Sequence, residues 1–168
     1  MMQNENAPLL GQKGMATYTG SYLEGHTDKL EAYMNNDHVS PAVKQMKEPY
    51  IDVTKLPSKY LVGYEKPSVE TGNETMWNEL KDKLLNPYFS PLVSERLDGL
   101  PLTYLFTSEY DVLRDEGFLF ADRLRSGGVR VQHENLDNGI HGIFLFYNGC
   151  PEADKAYQEM TQFIAENL

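Results

Sequence analysis

Residues 101–144 read PLTYLFTSEYDVLRDEGFLFADRLRSGGVRVQHENLDNGIHGIF, and the architecture of the chain follows from this segment. Pro101–Thr107 is a nearly continuous apolar run with aromatic and threonine residues, a pattern typical of a strand buried on both faces. Val129–Leu136 predicts a second strand. Between the two, apolar residues recur at helical spacing until Gly127-Gly128 ends the pattern. They are Leu113, Gly117, Phe120, Ala121 and Leu124.

Helical patterns flank this segment on both sides. Met76–Leu85 predicts a short helix that Asn86-Pro87 ends, and Glu152–Leu168 places six apolar side chains on one face of a final helix. Strand, helix, strand and helix form a right-handed βαβ unit closed by a last helix, so the predicted class is α/β with a parallel sheet. Because such a sheet needs more than two strands, the pattern also indicates a fragment of a larger domain.

The N-terminal segment of the chain is polar and rich in tyrosine. Helices are predicted over Met15–Leu23 and Asp28–Asn35. Prolines then recur at intervals of eight to ten residues, a density that interrupts helices and central strands alike; they are Pro41, Pro49, Pro57 and Pro67. We therefore expect a long, irregular covering segment, loosely packed over residues 1–75.

Composition and charge exclude several classes of partner. The 168 residues carry 15 basic and 25 acidic side chains, a net charge of −10. Nucleic acid and anionic membranes bind clustered Lys and Arg, so neither is expected as a partner. No signal peptide and no membrane-spanning segment is visible, and Cys150, the single cysteine, cannot form an intrachain disulfide. The spacing of histidines and carboxylates predicts no metal site, and no cofactor is expected.

Two polar loops follow the predicted strands, at residues 108–115 and 137–144. Parallel α/β sheets gather functional side chains at the carboxyl ends of their strands, and neighbouring strands place both loops at the same edge. Asp111 and His141 could therefore meet. An aspartate bonded to Nδ1 of a histidine fixes its tautomer and stabilises the imidazolium, which is the support that a base needs to activate a serine.

Several motifs, in order, carry a family resemblance. They are Asn86–Leu92 (NPYFSPL), Glu109–Gly117 (EYDVLRDEG), Leu124–Val129 (LRSGGV) and Asn138–Ile143 (NGIHGI). With them the chain strongly resembles the α/β-hydrolase fold-3 group, which contains hormone-sensitive lipase and arylacetamide deacetylase. Asn35–Val39 (NNDHV) is similar to the arylacetamide deacetylase-like branch.

The resemblance implies a partial α/β-hydrolase fold. Residues 1–168 would form a single C-terminal fragment, with a lid- or insertion-like segment over 1–75 and the βαβ-α part over 76–168. The triad acid of the family falls on Asp111 and its triad histidine on His141. In that family both follow a serine in a G-D-S-x-G elbow, but no serine here has glycine both two before and two after it. The H-G-G-G segment that forms the oxyanion hole is also absent.

The activity that the resemblance implies is hydrolysis of carboxylic esters or amides of lipid or xenobiotic substrates, through a Ser-Asp-His triad. Without the serine elbow and the oxyanion hole, this chain is expected to be inactive alone. Two other interpretations stay open: a non-catalytic binding or regulatory fragment, and an incomplete gene model. If the chain is a fragment of the family's enzyme, Met1 is either the start of a shorter isoform or an internal methionine.

The family also bears on location and on modification. For the parent enzyme the resemblance implies the lumenal side of the endoplasmic reticulum membrane, whereas this chain shows no signal or anchor and its own location stays open. Asn73-Glu74-Thr75 is an N-glycosylation sequon that such a location would allow to be used.

Each candidate residue also has a simpler interpretation. Asp111 could merely cap the helix that follows, since aspartate accepts N–H bonds there. Asp115 is the competing acid, but we expect it inside the helix, as a first-turn charge favoured by the helix dipole. His141 on its own would be an ordinary loop histidine. His38 and His133 are expected to be surface residues.

Overall fold

The computed structural model describes residues 2–65 and 72–167, so Pro67 of the predicted proline series lies outside the described residues. Six α-helices and two β-strands occur in these ranges. In chain order they are α1 (Gln12–Glu24), α2 (Leu30–Met34), α3 (Pro41–Lys47), α4 (Glu74–Leu84), β1 (Thr103–Tyr110), α5 (Arg114–Ser126), β2 (Val131–Ile140) and α6 (Pro151–Asn167). Short 3-10 turns lie at Met2–Asn4, Glu48–Tyr50, Val53–Lys55, Ser58–Tyr60, Pro91–Val93 and Ile143–Phe146.

Helices α1, α2 and α4 pack around the largest apolar cluster that the described residues bury. Its members, none more than 8% exposed, are Ala16, Leu23, Tyr33, Met76, Trp77, Leu80 and Leu84. Helix α4 supplies four of them at helical spacing, and it begins where Asn73 Oδ1 accepts the Met76 N–H at 3.0 Å. The expectation of loose packing over residues 1–75 is therefore wrong for α1 and α2. Each helix has only a short apolar face, and the core forms because these faces converge on α4.

Helix α3 lies in the segment predicted to be irregular. Pro41 is its first residue, where a missing N–H costs nothing because the first turn has no intrahelical acceptor for it. The Ser40 hydroxyl caps the helix by accepting the Val43 N–H at 3.3 Å. Proline here starts a helix rather than interrupting one, which corrects the sequence prediction.

The two strands form a parallel pair with α5 as the crossover between them. The register runs from Thr103↔Val131 to Ser108↔Leu136. Of the predicted strand Pro101–Thr107 only Thr107 is buried, so the expectation of a strand buried on both faces is wrong. Within the described residues β1 pairs with one strand only, which leaves its other edge without a sheet neighbour.

Strand β2 begins two residues later than predicted and continues to Ile140, through residues expected to form a loop. After Ser108↔Leu136 the next pair is Tyr110↔Ile140, so three residues of β2 stand opposite Glu109 alone. This bulge brings the strand directly to His141. Asn138 takes a left-handed conformation within it, with φ of 60°.

Helix α6 covers one end of the sheet. Ala153 and Ala156 are fully buried, whereas Tyr157 and Ile164 on the predicted apolar face are 37% and 44% exposed. Further along the same face Phe163 packs against the Tyr104 ring at 5.0 Å between centroids, so the whole face makes contacts but its second half is less buried than its first. None of the helices in residues 2–65 and 72–167 has the length and apolar character needed to cross a membrane.

Candidate functional site

The structure brings Asp111 and His141 together at the carboxyl ends of the two strands. Asp111 follows β1 directly, and His141 follows β2. The distance between Asp111 Oδ2 and His141 Nδ1 is 2.9 Å, within hydrogen-bonding range. The aspartate side chain is 16% exposed and the histidine 38%, so the acid is the more enclosed of the two.

The two carboxylate oxygens of Asp111 have different partners. Oδ1 accepts the N–H of Leu113 at 2.8 Å, and the Asp111 carbonyl accepts the N–H of Arg114 at 3.1 Å. This aspartate turn starts α5. Because Oδ2 faces His141, forming this turn and supporting the histidine are compatible roles of one side chain.

Glycine permits the sharp change of direction after His141. Gly142 has φ of 68°, a left-handed conformation that side chains with a Cβ seldom adopt. The 3-10 turn Ile143–Phe146 follows, and Ile143 is buried beneath it against Leu136 and the two alanines of α6. His141 is thus fixed between the end of β2 and an anchored turn.

A second layer of hydrogen bonds ties the two loops together. Glu109 Oε2 accepts the Asn138 N–H at 2.8 Å, which joins the end of β1 to the bulge of β2. The side chain of Asn4 donates to the Asp111 carbonyl at 2.8 Å and to the Glu109 carbonyl at 2.9 Å. Sequence reasoning missed Asn4, since no local pattern links residues about a hundred positions apart in the chain. It included Glu109 in a motif but gave it no role.

Arg114 is a buried cation beside this layer, 3% exposed. Its Nε donates to Asp115 Oδ1 at 2.8 Å, and its Nη1 donates to the Glu109 carbonyl at 3.1 Å. The guanidinium also lies 3.6 Å from the ring centroid of Tyr60. Asp115 lies in the first turn of α5, as predicted, and its carboxylate accepts the hydrogen bond from Arg114.

An apolar cavity of about 710 Å³ opens between the helices and the β1–α5 face. Asp111 lies on its wall, whereas His141 is not among its lining residues. Glu116 also lines it, although this residue is exposed to solvent. Protein atoms around the cavity partly desolvate the Glu116 carboxyl and raise its pKa, and the neighbouring charges of Asp115 and Asp111 raise it further.

The two other histidines of interest are not surface residues, which corrects the prediction. His133 Nε2 lies 2.9 Å from Thr107 Oγ1, and its ring meets Phe118 edge-on at 4.6 Å between centroids. His38 packs against Tyr33 at 5.1 Å. Both side chains are half-buried, and desolvation lowers the pKa of each imidazole. No group of three potential metal ligands is present in the part of the chain that the structure describes.

Comparison with known proteins identifies the class. The family described as alpha/beta hydrolase fold matches residues 38–145. The chain therefore belongs to this family, and both the predicted partial α/β-hydrolase fold and the resemblance are confirmed.

Individual relatives are esterases and deacetylases by name. Neutral cholesterol ester hydrolase 1 of Mus musculus is 37% identical over 149 residues, which are 86% of this chain and 36% of that protein. Arylacetamide deacetylase-like 4 of Homo sapiens is 34% identical, over 87% of this chain and 36% of that protein. The chain thus spans about a third of the length of these relatives. The hyperthermophilic esterase of the archaeon Pyrobaculum calidifontis aligns at 25% identity with a TM-score of 0.45, covering 92% of this chain and 61% of that structure.

Proposed function

We propose that Asp111 and His141 are the acid and the general base of a serine-dependent ester hydrolase. The observation that carries the proposal is the 2.9 Å contact between Asp111 Oδ2 and His141 Nδ1. An aspartate placed in this way keeps the proton on Nδ1 and leaves Nε2 free to accept one. The ester-hydrolysing relatives support the same reaction class.

In the proposed reaction His141 first accepts a proton and then donates it. Its Nε2 takes the proton of the serine hydroxyl as the serine oxygen attacks the carbonyl carbon of the ester. The same nitrogen then gives the proton to the leaving alkoxide, and an acyl-enzyme remains. Asp111 stays ionised throughout and stabilises the imidazolium. Water repeats the sequence and releases the acid.

The nucleophile is not part of these 168 residues in the proposed scheme, and the chain alone is proposed to be inactive. The serine elbow is missing from the sequence, and a triad without its nucleophile retains only a small residual rate. Fluorophosphonate probes label activated serines covalently, so the isolated chain should remain unlabelled while an intact serine esterase in the same assay is labelled. A stoichiometric adduct on the 168-residue chain would contradict the proposal.

The pair itself is tested in a longer protein that contains both this chain and a serine elbow. His141→Gln should lower kcat for a short p-nitrophenyl ester by roughly 10³-fold or more, because the general base is removed. Asp111→Asn should lower kcat by a similar factor, because His141 is then no longer held in the Nδ1–H tautomer. His133→Gln is the matched control and should keep kcat within a few-fold. Equal losses from His133→Gln and His141→Gln would overturn the assignment.

For the substrate we propose an ester or amide with a large apolar part, of the lipid or xenobiotic type. Relatives named neutral cholesterol ester hydrolase and arylacetamide deacetylase support this class. The apolar lining of the cavity beside Asp111 is compatible with it. For the parent enzyme we also propose a lumenal location in the endoplasmic reticulum; the exposed position of Asn73 is compatible with it, since an oligosaccharide there would meet solvent.

A non-catalytic binding module is the second candidate function. The observation that favours it is the edge of β1 that lacks a strand partner within the described residues, because such an edge can accept a strand from another chain. Light scattering after size-exclusion chromatography tests this. Self-association or a complex with a longer relative would support it, and a monomer with a cooperative melt would count against it.

A further inference from the structure

Asn4 is a buried polar side chain far from the catalytic pair in sequence and adjacent to it in space. It is 4% exposed and lies at the end of the 3-10 turn Met2–Asn4. Its Nδ2 donates to two carbonyls, at 2.9 Å to Glu109 and at 2.8 Å to Asp111. The primary amide has two N–H groups, and both are used here.

The two acceptors belong to the residues on either side of Tyr110, the last residue of β1. Peptide carbonyls two residues apart are held in one orientation when a single planar amide binds both. Fixing the Asp111 carbonyl also fixes the Cα–Cβ direction of that residue and hence the aim of its carboxylate. Asn4 therefore acts on the backbone beneath the acid, while Leu113 N–H holds Oδ1 from the other side.

Glu109 extends this restraint to the histidine loop. Its carbonyl accepts from both Asn4 and Arg114, and its own carboxylate receives the Asn138 N–H at 2.8 Å. Asn138 lies three residues before His141. The Asn4 side chain thus stands at one end of a hydrogen-bonded path that reaches both members of the pair.

We propose that Asn4 is a positioning residue of the hydrolase site, holding Asp111 in the geometry in which its carboxylate binds Nδ1 of His141. The proposal rests on the proposed function for its catalytic meaning. It is independent of any nucleophile, because it concerns only the hydrogen bond between the acid and the histidine.

The test reads the histidine directly by NMR of the ¹⁵N-labelled 168-residue chain. In the wild type the Asp111–His141 bond should give a far-downfield Nδ1 proton resonance and imidazole nitrogen shifts of the Nδ1–H tautomer. Asn4→Ala should lose the downfield resonance and shift the tautomer balance towards Nε2–H. Asn4→Gln, which keeps both N–H donors on a longer stem, should recover part of the signal.

Asn135→Ala supplies the matched control. The Asn135 amide makes hydrogen bonds to other side chains, accepting from Thr107 Oγ1 at 2.9 Å and donating to the Tyr60 hydroxyl at 3.1 Å and to Asp137 Oδ1 at 3.5 Å. It does not touch the carbonyls of residues 109 and 111. This variant should lower the melting temperature as Asn4→Ala does, yet retain the downfield resonance. Loss of the resonance in both variants would reduce Asn4 to a general structural role and overturn the proposal.

A wild-type measurement covers the case in which Asn4→Ala does not fold. The side-chain amide protons of Asn4 should exchange slowly with solvent, since both are bonded and buried. Fast exchange in the folded wild-type chain would overturn the proposal. These outcomes are separate from the proposed function: a missing esterase activity in the longer protein leaves the NMR result unaffected, and a missing positioning role leaves the esterase activity possible.

Discussion

The helical region of the molecule (α1–α4) and the sheet region (residues 86–167) group their buried side chains differently. In the helical region a single cluster of seven residues joins three helices, with Leu23 only 1% exposed. In the sheet region the buried residues form two smaller clusters, around Ile143 and around Leu124. Both regions also expose large apolar side chains, among them Tyr22 of α1 at 72% and Leu145 of the sheet region at 82%.

The difference follows from where each kind of element finds its backbone hydrogen bonds. A helix satisfies its own N–H and C=O groups, so three helices can close a core among themselves. A strand needs a neighbour on each edge, and β1 has one neighbour within the described residues. The region with the clearest sequence motifs therefore carries the site, whereas the region with the weakest pattern carries the larger core.

The largest effect is expected from a truncation in the helical cluster. Leu23→Ala should lower the free energy of unfolding by about 2–5 kcal/mol, because it removes a fully buried side chain and leaves a cavity. Ile164→Ala on α6, where the side chain is 44% exposed, should change it by less than about 1 kcal/mol. Urea titration followed by the fluorescence of Trp77, the single tryptophan, measures both. Equal effects would break the comparison, since Leu23 would then not lie in a packed core.

Two glycine substitutions probe the packing of one helix from each region. A Cβ at Gly117 of α5 would lie 2.3 Å from Thr107 Cγ2. Gly117→Ala should therefore lower the free energy of unfolding by about 1–3 kcal/mol through overpacking. The better helix propensity of alanine should offset about 1 kcal/mol of this loss. In α1, a Cβ at Gly14 would meet only the end of the flexible Leu10 side chain, at 3.1 Å. Gly14→Ala should therefore stabilise by up to about 1 kcal/mol.

The double variant Gly117→Ala with Thr107→Ser removes the clashing methyl group and keeps the hydroxyl. It should recover part of the stability that Gly117→Ala loses, relative to Thr107→Ser alone. Thermal melts of the wild type, the two single variants and the double variant measure this coupling. A stabilising Gly117→Ala would show that α5 and β1 are not closely packed in the sheet region.

The smallest expected effect is on how stability depends on pH. Desolvation lowers the pKa of His133 in the folded state, so below the ordinary histidine pKa of about 6.5 the unfolded chain binds more protons. Stability is then complete above this pH and decreases as the pH falls towards the folded pKa. His133→Gln should be less sensitive between pH 7.5 and 5.5 in urea titrations, and His38→Gln, in the helical region, should show the same trend. An unchanged pH dependence in both variants would contradict the burial of these rings.

Much of the fold could be predicted from the spacing of apolar residues and from the residues that begin and end helices. The patterns over Met76–Leu85 and Glu152–Leu168 predicted α4 and α6 to within two residues, because caps and apolar spacing are local properties. The pattern could not predict that α1 and α2 converge on α4, since that core joins residues some sixty positions apart. It also misjudged Pro41, whose effect depends on whether it falls first in a helix or inside one.

The candidate site was accessible from sequence in one respect only. Parallel strands place their following loops at a common edge, so Asp111 and His141 could be paired from their positions in the chain. The residues that hold the pair could not be found in this way. Asn4 and Glu109 act through backbone groups, and any asparagine or glutamate near the site would have looked the same.

The bulge in β2 sets a constraint on evolutionary change in this loop. Three residues of β2 lie opposite Glu109 alone, and His141 follows directly after the bulge. Because the bulge sets the direction in which β2 reaches His141, insertion or deletion of one residue between Leu136 and His141 would turn the imidazole away from Asp111. Related sequences should therefore vary in amino acid at the exposed Asp137 while keeping the length of this segment constant.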